Sequence, residues 1–268
     1  MEVKVALVTG GSSGIGAATA RMLAGAGIKV YAGSRRGIFE PACEGVVPLK
    51  LDVNDKSTLE AAVKEILSRE GRLDAVVCNA GSGCYGPVEG TTEEEARFQF
   101  ETNYFGVLKT IEACLPTFRA QGFGRIVTIT SVMAILQLPF QGLYSSVKAA
   151  LLSLTESLAL ELKGPGIQCC SILPGDVSTG FTSARKMNGA ALAEDSPYKE
   201  WMRTNLKKVE KDELGGMSPD VIAKAVLKQL KKKKMAMRVI PRLDYRLIAF
   251  LVRLAPAKFR LALVRSLY

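Results

Sequence analysis

Histidine is missing from all 268 residues. Its absence removes the side chain most often used as a general base near neutral pH and the commonest metal ligand. Six cysteines are scattered without paired spacing, two of them adjacent as Cys169 and Cys170. Neither a disulfide framework nor a metal site is expected, and the thiols read as reduced and intracellular. No apolar run reaches the roughly 18 residues of a membrane span. The chain enters strand-like sequence at once (Val3-Lys4-Val5-Ala6-Leu7-Val8), leaving no room for a secretory signal, so a cytoplasmic location is expected. Acids are scarce at one end. From Val221 to Tyr268 there are 13 Lys/Arg and one acid, Asp244, against 36 and 26 in the whole chain. The basicity therefore belongs to the tail, and the remainder is slightly acidic.

What is present is an alternation of apolar runs with helical periods. Strands are expected at Val3–Thr9, Lys29–Gly33, Val46–Leu51, Leu73–Cys78, Arg125–Thr130, Ile167–Leu173 and, last, Met235–Ile240. Helices are expected at Gly14–Gly25, Leu59–Ser68, from the capping box Thr92-Glu93-Glu94-Glu95 toward Ala120, at Leu143–Leu162, and after Ser218-Pro219. Strands that alternate with helices make a mainly parallel α/β sheet covered on both faces. With no repeat or linker, residues 1–268 read as a single domain.

The first strand runs into Thr9-Gly10-Gly11-Ser12-Ser13-Gly14-Ile15-Gly16, which opens the first helix. Glycines there permit a tight turn and close approach of a pyrophosphate, whose charge meets the helix N-terminus. The bland alternative is a sharp turn with no ligand; the position at the first strand–helix junction favours the ligand. Ser34-Arg35-Arg36 follows the second strand, where an acid would favour the ribose hydroxyl of NAD. Two guanidiniums in its place suit a 2′-phosphate, so NADP(H) is favoured over NAD(H), with Arg35 the main contact; two solvated loop arginines are the alternative. Asp52-Val53 ends the third strand and is expected either at the adenine or as a helix cap. Asn79-Ala80-Gly81 ends the fourth and would leave room for a ribose. Polar and small residues at successive strand ends are what an open α/β binding crevice requires.

Tyr144-Ser145-Ser146-Val147-Lys148 sets a phenol and an ammonium four residues apart on one helix face, with Ser131 at the preceding strand end. A phenol of pKa near 10 needs roughly 4 kcal/mol of differential stabilisation to titrate near 7. A neighbouring ammonium is the obvious source, which makes Tyr144 the leading proton donor or acceptor.

Together, Thr9-Gly10-x-x-x-Gly14-Ile15-Gly16, Asn79-Ala80-Gly81, Asn103, Ser131, Tyr144-x-x-x-Lys148 and Pro174-Gly175-x-Val177-x-Thr179 resemble the short-chain dehydrogenase/reductase family over residues 1–180 or so. Leu138–Tyr144 and Val239-Ile240-Pro241-Arg242 look loosely like its 17-beta-hydroxysteroid dehydrogenase branch. The resemblance implies a Rossmann-type doubly wound fold, a homodimer or homotetramer, and nicotinamide-dependent hydride transfer. It implies that Tyr144 protonates a carbonyl oxygen to which Ser131 donates. Lys148 would lower the Tyr144 pKa and hold a ribose, Asn103 would position a water, and Pro174, Gly175, Val177 and Thr179 would lie against the nicotinamide.

Met133, Ile135, Leu136, Leu138 and Phe140 fall between serine and tyrosine and are expected to line an apolar pocket, with core packing as the alternative. Phe181–Gly216 mixes polar residues with Met187, Tyr198 and Trp201 and resembles a helical substrate lid, Phe181 at its root. A lipophilic ketone or secondary alcohol, steroid-like or otherwise bulky, would suit such a site. The rival readings are a 3-oxoacyl-carrier-protein reductase and, in another class, a non-catalytic dinucleotide-sensing scaffold. In the tail, residues 243–268, Leu247, Ile248, Leu251 and Leu254 recur at helical spacing opposite Arg246 and Arg253. A core-covering helix, an oligomer contact and a surface helix on anionic lipid are the readings; structural packing ranks first and membrane association second. Nucleic-acid binding is not expected, since charge alone accompanies no recognition motif.

Overall fold

The computed structural model describes residues 2–162, 164 and 166–267; Met1 and Tyr268, the two ends of the expected domain, lie outside the described residues. Strand β1 (Val5–Thr9) leads through the glycine turn into α1 (Gly14–Gly25), followed by β2 (Lys29–Ser34) and β3 (Val46–Lys50). Helix α2 (Lys56–Glu70) precedes β4 (Ala75–Cys78), the short β5 (Cys84–Tyr85) and α3 (Glu93–Phe100). A π-helical turn, Glu101–Phe105, joins α3 to α4 (Gly106–Gln121). Then come β6 (Gly124–Ile129), a 3-10 turn at Val132–Ala134, α5 (Gly142–Glu161) and β7 (Ile167–Ile172). The last third holds β8 (Lys186–Met187), α6 (Gly189–Leu192), α7 (Lys199–Leu214), α8 (Pro219–Leu230), β9 (Arg238–Val239), α9 (Leu243–Leu254) and α10 (Ala257–Leu267).

Seven strands pair in the order β3-β2-β1-β4-β6-β7-β9, and every pairing is parallel. Alternation along the strands explains why helices cover both faces. In β1, Ala6 and Val8 join a core with Ala20 and Leu23 of α1 and Ile222 and Val226 of α8. Val5 and Leu7 point the other way, to Leu59 and Ile66 of α2 and Ile111 of α4. This is the expected Rossmann-type single-domain α/β fold. Its strand order reverses between β1 and β4, which opens a crevice at their C-terminal ends.

Local signals are realised where their chemistry is self-contained. Thr92 and Glu95 complete a reciprocal capping box on α3, and the Ser218 hydroxyl accepts from the Asp220 amide at the start of α8. Asp55 caps α2, so the helix-cap alternative for Asp52 does not hold; Asp52 instead accepts from the Asn54 amide at 3.0 Å. One segment differs from the sequence expectation: the long helix toward Ala120 is interrupted by the π turn. The lid segment is largely helical, and Met202, Asn205 and Val209 form a buried stripe on α7 within a Lys- and Glu-rich surface.

Candidate active site

The glycine turn is built by exclusion. At Gly10, with φ 63°, a Cβ would lie 2.8 Å from the Ala80 backbone, and at Gly16 it would lie 2.1 Å from the Gly10 carbonyl. Neither site admits a side chain. Asn79 braces the turn by donating to the Thr9 and Gly10 carbonyls, each at 3.1 Å, while the Thr9 hydroxyl accepts from the Asn79 and Ala80 amides. Ser13, at the N-cap of α1, makes no side-chain cap bond, and the first turn of α1 holds no acid. Its amides therefore face a region suited to an anion.

A cavity of 1170 Å³ runs along the C-terminal ends of the strands. Gly10, Ser12, Ser13, Gly14, Ile15, Ser34, Arg35, Arg36, Asp52, Val53, Asn79, Ala80 and Gly81 lie along one stretch of its wall. Ser131, Met133, Leu136, Tyr144, Lys148, Pro174, Gly175, Val177, Thr179 and Phe181 lie along the other. Arg35 and Arg36 are exposed, and neither has an ion-pair partner among the described residues. The braced turn and the acid-free helix end fit the pyrophosphate of a dinucleotide.

Ser131 serves two purposes at once. Its hydroxyl oxygen accepts from the Met133 amide at 3.1 Å, capping the 3-10 turn, and it lies within hydrogen-bonding reach of the Tyr144 phenol. Tyr144 is partly buried, its ring 5.7 Å from that of Phe181 and its centroid 5.6 Å from the Lys148 ammonium. Burial pushes the phenol pKa up; the Ser131 hydrogen bond opposes this, Glu213 adds to it and Arg185 subtracts. The expected lowering by Lys148 does not dominate. That ammonium donates to the Ile129 carbonyl at 3.2 Å, and burial draws its own pKa down to about 8. A phenol held in its protonated form is suited to giving a proton to a carbonyl oxygen.

Asn103 is fully buried in the π turn and is not on the cavity wall. Its amide donates to the Ser82 and Gln99 carbonyls, both at 3.0 Å, and its carbonyl accepts from the Ser82 amide at 3.3 Å. Gly16 also lies off the wall, beneath the turn. Phe140, expected to touch substrate, is turned away. Its ring packs edge-on to Trp201 at 4.7 Å and beside Tyr85 and Tyr198. Its φ of 62° is strained for a bulky residue, so packing rather than the local backbone holds it there. It thereby ties lid helix α7 to the loop before Tyr144.

Two features went unread in the sequence. Glu213 pairs with the buried Arg185 and accepts from the Thr182 hydroxyl at 2.7 Å, placing an ion pair beside Tyr144. Tyr245 packs against Gly175, where a Cβ would sit 2.3 Å from its ring, and its hydroxyl accepts from the Asp176 amide and donates to the Asp176 carboxylate. Asp176 is the unspecified residue in Pro174-Gly175-x-Val177, and its carboxyl pKa is raised by burial. The tail thus reaches into the site. Among the described residues no cluster of His, Cys, Asp or Glu has metal-binding geometry, and no helix is long and apolar enough to cross a membrane.

The family model for short chain dehydrogenases matches residues 4–189. A 3-ketodihydrosphingosine reductase of Bacteroides thetaiotaomicron is 36% identical over 233 residues, 87% of this chain and 86% of that one. Human 17-beta-hydroxysteroid dehydrogenase type 1 is 37% identical over 195 residues, 68% of this chain and 59% of its own. The crystal structure of a short-chain dehydrogenase from Streptomyces avermitilis superposes with a TM-score of 0.80 at 29% identity, covering 100% of this chain and 97% of the other. With its crevice, its braced glycine turn and its tyrosine–serine–lysine group, this chain belongs to the short-chain dehydrogenase/reductase family of nicotinamide-dependent oxidoreductases.

Proposed function

We propose that the protein is an NADP(H)-dependent carbonyl reductase for a lipophilic ketone, working from the cytoplasm as a homodimer or homotetramer with peripheral membrane contact through its tail. The observation that carries this reading is one continuous cavity with two exposed arginines at one end and the Tyr144–Ser131 pair at the other. Apolar side chains Met133, Leu136, Leu138, Phe181, Ile248 and Val252 wall the catalytic end. When bound, the dinucleotide would supply hydride to the carbonyl carbon. Gly10–Gly16, Ser13, Arg35 and Arg36 would hold it, with Pro174, Gly175, Val177 and Thr179 beside the ring. Ser131 donates to the carbonyl oxygen as charge develops there, and the protonated Tyr144 gives that oxygen its proton. Lys148 remains cationic at neutral pH and supports the resulting phenolate. Asn103 contributes by fixing the Ser82 segment through its buried amide.

The likeness to a 3-ketodihydrosphingosine reductase favours a ketone on a long aliphatic chain over a rigid polycycle. A carrier-bound 3-oxoacyl substrate is the second reading, favoured by the basic tail residues Arg242 and Arg260 on the cavity wall.

A panel of ketones and secondary alcohols, followed by the absorbance of the reduced nicotinamide with both dinucleotides, tests the proposal. Turnover is expected with NADPH and bulky apolar ketones. Arg35→Ala should weaken NADPH use by about tenfold to a hundredfold while leaving NADH unaffected, the effect of one lost charge-assisted contact. An undiminished preference for NADPH in that variant would remove Arg35 from the account.

A further inference from the structure

We infer that the α9–α10 hairpin is a docking surface for an anionic lipid bilayer, and that a lipid ketone passes from that bilayer into the cavity along the hairpin's inner face. The inference deepens the proposed reaction and rests on it.

The argument begins with helix α9, which is apolar on two opposite sides. At about 100° per residue, Tyr245, Ile248 and Val252 share one side, and all three line the cavity. Leu243, Leu247, Phe250, Leu251 and Leu254 share the other side and are 76, 59, 59, 53 and 66% exposed. A helix that only covers a core needs the first side alone. Helix α10 repeats the division in part: Arg260, Leu263 and Val264 are on the cavity wall, with Leu263 still 50% exposed, while Phe259 and Leu261 stand more exposed. Scattered exposed leucines need no explanation, whereas a contiguous stripe on two successive helices does.

Charge selects the occupant. The hairpin with Arg242 carries six cations and one acid, and that acid, Asp244, is already paired to Arg242. Arg246 and Arg253 run along a seam between the two apolar sides. A second copy on a two-fold axis would set this cationic surface against its own image. Anionic headgroups instead neutralise it, while their acyl region takes the leucine stripe. No segment of the hairpin spans a bilayer, so the contact is peripheral. Because the same two helices form the cavity wall, a lipid leaving the bilayer at this surface reaches Tyr144 past apolar residues on the hairpin's inner face.

Flotation of the whole protein with phosphatidylcholine vesicles, with and without phosphatidylserine, tests the surface. The comparison variant is Leu247→Glu with Leu251→Glu, both away from the cavity wall, with Arg253→Glu as a second. Wild type should float with the phosphatidylserine vesicles and be released by salt. Each leucine replacement should weaken partitioning by about tenfold, as expected for an exposed rather than buried leucine. The double variant should reduce a water-soluble ketone as wild type does, yet be at least about tenfold slower on a ketone embedded in those vesicles. Equal flotation of wild type and variants, or equal rates on the embedded ketone, overturns the inference. So does an oligomer that the leucine variants dissociate with no effect of vesicles, which would make a second copy the occupant. Flotation needs no turnover: a protein that floats yet reduces no ketone upholds the docking surface and overturns the activity proposed above.

Discussion

The Ser131 oxygen accepts the Met133 amide, which leaves its own hydroxyl proton free to donate beside Tyr144. In the proposed mechanism the residue that caps the turn is therefore also the donor at the reacting centre. Ser131→Ala should lower kcat by about a hundredfold to a thousandfold, the usual loss for one such donor, with little change in dinucleotide affinity. Steady-state rates and a dinucleotide titration read the two effects separately. Lys148 shows the opposing demands of chemistry and stability. Its pKa, drawn from 10.5 to about 8 by burial, means that a charged group is kept where the fold disfavours charge. At neutral pH this withdraws about 3 kcal/mol of stability. The penalty is full below pH 8 or so and fades as pH rises toward the unfolded value, because only the unfolded chain stays protonated in that window. Lys148→Met should therefore abolish turnover while raising stability by about 2 kcal/mol at neutral pH, once the lost hydrogen bond to Ile129 is deducted. Urea unfolding should show that advantage shrinking in alkaline buffer. A variant less stable than wild type at neutral pH would contradict this reading of the buried lysine.

Among the elements, those whose ends carry their own chemistry were legible in the sequence. The glycine turn, the Thr92–Glu95 box and Ser218-Pro219 each specify a boundary with residues a few positions apart, and each stands where the spacing predicts. What could not be read depends on distant partners. The Asp74 carboxylate accepts the Lys4 and Val5 amides at 2.8 and 2.9 Å and pairs with Arg72, fixing β1 against the start of β4 across some seventy residues. Asp74→Ala should cost about 3 kcal/mol, the loss expected when two backbone amides and a half-buried arginine lose a buried carboxylate, and chemical denaturation should show it as a lowered midpoint at constant slope. The π turn at Asn103 was hidden because one helical residue more or less leaves no compositional trace. The bounds of helix α7 inside the lid left little trace, because its three buried residues lie among many Lys and Glu. The position of Phe140 just before Tyr144 points to substrate, but its backbone conformation and the rings of Tyr85 and Trp201 hold it in the lid contact instead.

At the scale of the whole molecule, strand ends from the first half and loops from the second form one wall, and the basic tail closes over it through Tyr245 and Asp176. The parallel sheet covered on both faces followed from the alternation of strands and helices, and the crevice from polar and small residues at successive strand ends. Most residues singled out by motif register line the cavity, whereas Gly16, Asn103 and Phe140 lie behind its wall. Tyr245 was out of reach of sequence reasoning because its contact with Gly175 is purely tertiary. The central claim is that hydride reaches a substrate carbonyl while Tyr144 supplies the proton. Its most direct test is reduction of a bulky apolar ketone with NADPH deuterated on the transferring face, with the product read by mass spectrometry. Wild type should place one deuterium on the new carbinol carbon, and Tyr144→Phe, with dinucleotide binding intact, should do so at least about a hundredfold more slowly. Product without label, or a Tyr144→Phe variant as fast as wild type, would contradict the account.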